Sequence, residues 1–158
     1  MEKLGTKFSS VYSKFFSKIT DDMYMELTVD ETRAMVKELL LNALPYFEFP
    51  RQDINDYNEE LACFGVELTN EEMNIIAIYM VVTWIDQQLA SVENTRMKYS
   101  GSDFKFTSQA NHLSKLITMK KEYIQEGFHL QRLYKRRKTD DKGVVKSTIS
   151  SIMFPEEG

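Results

Sequence analysis

The chain is poor in the residues that most small catalytic and metal sites require. It has one cysteine, Cys63, among 158 residues, so neither an internal disulfide nor a cysteine-rich zinc site can form within it. It has two histidines, His112 and His129. No His-Glu-x-x-His pattern offers zinc-hydrolase chemistry, and the six scattered glycines build no glycine-rich loop for phosphates. Glu126 and His129 stand at i, i+3, half of the motif of carboxylate-bridged di-metal bundles. Those need a second such pair on another helix, and no other Glu-x-x-His exists here. His129 therefore reads as a helix-surface histidine. Cys63 in "LACFG" has apolar neighbours, which fits a buried thiol better than a nucleophile. Glu59–Glu60 and Glu71–Glu72 are adjacent in sequence and do not converge as a catalytic dyad does. The expectation is a protein that is not an enzyme, with no cofactor and no metal.

Long apolar runs are also missing. In "LTNEEMNIIAIYMVVTWID", Leu68 to Asp86, the longest run free of charge is the thirteen residues Met73–Ile85, and Asn74 and Thr83 interrupt even those. A membrane-spanning helix needs about 20 mostly apolar residues, so no membrane role is expected. The N-terminal "MEKLGTKFSSVYSKFF" lacks the apolar run and small-residue cleavage site of a secretory signal. The expected setting is a reducing cytosol, or a particle assembled there.

What the chain does have is a core. Hydrophobic residues make up 42%, with ten phenylalanines, eight tyrosines and one tryptophan, enough for one domain. In the 68–86 stretch Thr69 and Glu72 form a capping box, with Leu68 and Met73 as its hydrophobic staple. Met73, Ile76, Ala77, Met80 and Trp84 then make one apolar stripe, and Ile75, Ile78, Val82, Ile85 and Leu89 another. A helix apolar nearly all round is surrounded by protein, so this is the central helix of a small bundle.

Three further helices are expected. The first runs from about Leu4 to Ile19, with Phe8, Val11/Tyr12, Phe15/Phe16 and Ile19 at helical spacing. The second opens on the capping box Thr28/Glu31, keeps Met35, Leu39, Leu40, Ala43 and Phe47 to one side, and ends near Pro45. Between it and the central helix, the patches Phe47–Phe49 and Cys63–Val66 either pair as a short β-hairpin or lie as plain loop. "VENTRMKYSGSDFKF" reads as a long connection. The last helix, Ser108 to Arg137 with Thr107 or Ser108 as cap, carries Leu113, Leu116, Ile117, Ile124, Phe128, Leu130 and Tyr134. It would be about 45 Å long, longer than a small domain is wide, so its basic end is expected to project. The fold class is all-α: about four helices around a buried one, with an extended C-terminal tail. The division is a helical domain over 1–138 and a tail over 139–158.

Charge is distributed unevenly. Residues 1–104 sum to −9, residues 105–138 to +7 and the last twenty to −2, within a net −4. An acidic body with one basic arm can bind nucleic acid or a second copy of its own acidic body, or can simply present a solvated basic face. The candidate cations are Arg132, Lys135, Arg136, Arg137 and Lys138. The run "LYKRRK" can hold phosphates in a salt-dependent way, yet cations at a helix C-terminus also complement its dipole. Tyr134 alone is no stacking platform, and no helix-turn-helix spacing accompanies the run. The tail carries Val144, Val145, Ile149, Ile152, Met153 and Phe154, too apolar for a solvated segment. It either folds back onto its own domain or docks on another chain by adding a strand or short helix.

With these pieces in place, the chain resembles a tailed-bacteriophage head–tail connector, also called a neck or adaptor protein. The resemblance is carried by "FFSKITDDMYMELT" (15–28), "LLLNALPYF" (39–47), "LTNEEMNIIAIYMVVTWID" (68–86) and "FKFTSQANHLSKL" (104–116), and covers about residues 8–138. It implies a virion structural protein, made in the host cytoplasm and placed at the head–tail junction. Its partners would be the portal and other neck or tail proteins, and about a dozen copies would form a closed ring. The ring would extend the channel through which genome DNA passes without sequence-specific binding, and would offer a surface for the tail. The residues facing the channel are not fixed by any motif. The alternative is a small helical nucleic-acid-binding or regulatory protein using Lys135–Lys138.

Overall fold

The computed structural model describes residues 4–19, 28–98, 106–139 and 145–147, without the side chains of 92–98, 106–110, 138–139 and 145–147. Four helices carry the fold: α1 Phe8–Phe16, α2 Val29–Ala43, α3 Asn70–Lys98 and α4 Phe106–Arg136. Two short antiparallel hairpins accompany them, β1 Tyr57–Asn58 with β2 Cys63–Phe64, and β3 Arg137–Thr139 with β4 Val145–Ser147. The all-α reading with one buried helix holds.

α3 is that helix. Ile75, Ile76, Ala77, Ile78, Met80, Val81, Trp84 and Ile85 are buried around its whole circumference, because α1, α2 and α4 all pack against it. Thr83, the polar interruption, donates its hydroxyl to the Met80 carbonyl at 2.9 Å and so leaves no donor unpaired. The capping box at its start forms as expected: the Thr69 amide donates to Glu72 Oε2 at 2.8 Å, and the Glu72 amide to Thr69 Oγ1 at 3.2 Å. Its far end departs from expectation. The helix continues through Val92–Lys98, where the sequence reads as the start of a connection. Gln87 to Lys98 contains neither Gly nor Pro, and one asparagine costs a helix only a few tenths of a kcal/mol. Among the described residues no helix is long and apolar enough to cross a membrane.

α2 is capped reciprocally by Thr28 and Glu31, and it stops at Ala43 because Pro45 cannot donate to an α-helical bond. The chain tightens into a 3₁₀ turn over Leu44–Tyr46 instead. α1 is shorter than the apolar spacing predicts. Leu4 to Lys7 lies extended beside β2, with the Gly5 amide donating to the Phe64 carbonyl at 2.9 Å and the Phe64 amide to the Thr6 carbonyl at 2.8 Å. Only glycine allows this approach, since a Cβ on Gly5 would sit 2.2 Å from the Val66 carbonyl oxygen. The hairpin also differs from expectation. Its second half is the Cys63 patch, but the partner is Tyr57–Asn58, in the register Tyr57↔Phe64 and Asn58↔Cys63. Phe47–Phe49 is committed to the core and surface beside α4.

The stripe on α4 also departs from expectation. Leu116 and Tyr134 are buried and Leu130 half-buried, but Ile117 is 53% exposed and Phe128 51% exposed. The face turned to α3 runs instead through Leu116, Tyr123, Gly127, Gln131 and Tyr134. Gly127 sets this rotation: a Cβ there would come within 2.7 Å of the Tyr79 ring, so that ring fills the space a side chain would take.

Candidate functional site

The C-terminal third of α4 holds three of the five candidate cations, Arg132, Lys135 and Arg136, and its position follows from one tyrosine. Tyr134 is 1% exposed and packs edge-on against Phe47, with ring centroids 5.2 Å apart. Its hydroxyl donates to Glu72 Oε1 at 2.7 Å and accepts from the Arg51 amide at 2.8 Å. The Arg51 guanidinium lies 4.0 Å above the ring centre and donates to the Tyr134 carbonyl at 2.6 Å. It also donates to the carbonyl of Arg137, the first residue after the helix. Burial, reinforced by the hydrogen bond to Glu72, pushes the phenol well above its ordinary range. Glu72 is itself 1% exposed. Its oxygens are satisfied there because Tyr134, the Thr69 amide and Gln52 all donate to them.

One turn earlier, Gln131 ties the same helix to the loop after α2. Its Nε2 donates to the Tyr46 carbonyl at 2.9 Å and to the Tyr79 hydroxyl at 2.8 Å, while its Oε1 accepts from the Glu48 amide at 2.9 Å. Tyr46 stacks on Tyr79 with centroids 5.3 Å apart. The basic end of α4 therefore does not project. It is clamped to the body by Arg51, Gln131 and Tyr134, and the helix is accommodated because α3, of nearly equal length, lies along it.

The five candidate cations do not form one patch. Lys135 sits 3.6 Å over the Phe49 ring centre and 3.7 Å from Glu48. Arg137 pairs with Glu71 at 3.1 Å, and Arg136, though exposed, has a partner of its own. Arg132 is exposed. Together with Glu48, Gln125, Phe128, Gln131 and Lys135 it lines an open groove of about 520 Å³ on the outer face of α4. Lys138 lies in β3 opposite Lys146, its side chain outside the description.

Of the tail candidates, Val145 falls in β4 opposite Thr139, and Val144, Ile149, Ile152, Met153 and Phe154 lie outside the described residues. The division expected at residue 138 falls within β3, whose three residues pair with Val145–Ser147. His112, Glu126 and His129 are exposed on α4, and Cys63 is buried. Among the described residues no three His, Cys, Asp or Glu side chains gather where a metal could be held.

Sequence reasoning missed Arg51, Gln52, Gln131 and the buried role of Glu72. Two signals were present. Gln131 falls at helical spacing from Gly127 and Tyr134, and Glu72 precedes the apolar run of α3. Their distant partners, 20 to 85 positions away, cannot be read from spacing. Comparison of the chain with protein-family models, with curated proteins and with solved structures gives no match.

Proposed function

We propose that the chain is a structural protein of a tailed-phage particle, a connector that forms a ring between portal and tail. The observation that carries the reading is the way the body holds the end of α4. Arg51 and Tyr134 fix the end of α4, and the β3–β4 hairpin follows without a linker, so the apolar segment beyond it departs from a defined point on a rigid helical scaffold. A segment launched in this way suits insertion into a partner. The acidic body and the basic α4 fit plus-to-minus contacts between successive copies of a closed ring. Acidic residues facing its channel would let DNA slide by repelling phosphates.

The nucleic-acid reading draws less support. Lys135 and Arg137 already face Glu48 and Glu71, so phosphate contacts would have to break existing pairs. Native mass over a range of concentration, with negative-stain images, tests the connector reading. Closed rings of about a dozen copies, alone or on portal rings, are expected. A monomer that stays a monomer with portal present, and that instead binds DNA with a steep salt dependence, would replace the connector with the second reading.

A further inference from the structure

We infer that the groove on the outer face of α4 is the seat of the chain's own C-terminal segment, with Ile152, Met153 and Phe154 covering Phe128 and Phe49, and Glu156 and Glu157 beside Arg132. This describes the chain before it assembles and does not rest on the connector reading; in a ring the segment would leave the groove for its partner.

The groove pairs exposed apolar surface with positive charge. Phe128, 51% exposed, gives the groove its aromatic floor, rimmed by Arg132 and Lys135, with Glu48 the one carboxylate among the lining residues; Phe49, 59% exposed, adjoins it beneath the Lys135 ammonium. The segment after β4 has the complementary order, three large apolar side chains followed by Pro155 and two glutamates. Position supplies the second argument. Ser147 pairs with Arg137, so antiparallel β4 brings the chain back to the C-terminal end of α4, one strand spacing, about 4.8 Å, from it. From Arg137 to Phe128 is nine helical residues, about 14 Å. Residues 148–154 can span about 25 Å when extended, so the apolar triplet reaches the groove of its own molecule with slack. A short tether of this kind holds its end at an effective concentration in the millimolar range. A second copy has to compete with that.

The test uses the full chain with paired cysteines. In Gln125→Cys/Met153→Cys one thiol lies in the groove and the other on the segment; Cys63 is buried and can stay. The control pair is Ile117→Cys/Met153→Cys, exposed on the same helix but about 16 Å from Phe128. At dilution and under mild oxidation, the groove pair should close within one chain at least about tenfold faster than the control. Arg132→Glu should remove most of that advantage, and adding Glu156→Lys and Glu157→Lys should restore it. Equal rates for the two pairs overturn the inference. Disulfides formed only between chains also overturn it, and would assign the groove to a second copy. Circular dichroism on each variant shows whether the fold is kept, which is expected for substitutions at exposed positions.

Discussion

Replacing Tyr134 with phenylalanine removes one oxygen, so the buried Glu72 Oε1 loses its donor and the part-buried Arg51 amide its acceptor, while Thr69 and Gln52 still donate to Glu72 Oε2. A buried polar group stripped of its partner costs about 1–3 kcal/mol, and denaturant unfolding of Tyr134→Phe should show a loss in that range. Alkaline pH should act on the same residue. Burial raises the phenols of Tyr12, Tyr79, Tyr123 and Tyr134 above the ordinary value of 10.0, that of Tyr12 to about 12. Below pH 10.0 folded and unfolded chains both keep these protons. Above it the unfolded chain releases protons that the folded chain retains, so stability falls with rising pH. For Tyr12 that fall spans from 10.0 to about 12, and for Tyr134 it extends further. Tyr134→Phe should therefore unfold with a shallower pH slope above 10 than the parent chain, read by the far-ultraviolet signal. Gly127→Ala is the third residue-scale prediction. Its new methyl meets the Tyr79 ring at 2.7 Å, and overpacking of that kind costs about 1–3 kcal/mol.

The helices show which signals travel from sequence to structure. Capping boxes did, because Thr28 with Glu31 and Thr69 with Glu72 satisfy amides three residues apart, and nothing distant is needed to form them. The doubly apolar pattern of α3 also did, since a helix buried on every side must be apolar on every side. The rotation of α4 was not legible. Its apolar residues offer two overlapping stripes, and the choice between them belongs to Tyr79 on another helix. The clamp at Tyr134 was equally hidden, since Arg51 lies 83 residues away and looks like any surface arginine. The two caps should also differ in strength. Removing an N-cap hydroxyl costs about 0.5–2 kcal/mol. Thr28→Ala should fall at the low end, where the bond is exposed, and Thr69→Ala at the high end, because the Glu72 amide that loses its acceptor is part-buried; the Thr69 amide keeps its bond to the carboxylate. Thermal unfolding of the two variants side by side measures the difference.

At the scale of the molecule, the charge asymmetry that marked residues 105–138 as a basic arm is met in part by ion pairs to the acidic body. Lys120 faces Asp86 at 2.6 Å, Lys135 faces Glu48, and Arg137 faces Glu71. These pairs are partly exposed and each contributes about 0–1 kcal/mol, so they orient α4 on the body more than they hold it there. Deleting residues 148–158 should leave the unfolding midpoint within a few degrees of the parent while abolishing ring formation, if the segment is the docking element we propose. Rings of the shortened chain, seen by negative stain, would place assembly on the helical faces instead.

The register of the last hairpin has a mechanical consequence. Ser147 sits opposite Arg137, so both strands enter and leave at the same end, the end anchored by Arg51. Tension on the C-terminal segment, pulling away from the body, would load the hairpin by its open end. Its three rungs would then open in succession, as a zipper does, where a load along the strands would have to shear them together. Opening would release the nine residues between Arg137 and Ser147, about 30 Å of extra chain, before any force reached the Tyr134 clamp. The hairpin would thus act as a small strain-relief loop, letting an attached partner shift by a few nanometres while the helical body keeps its shape.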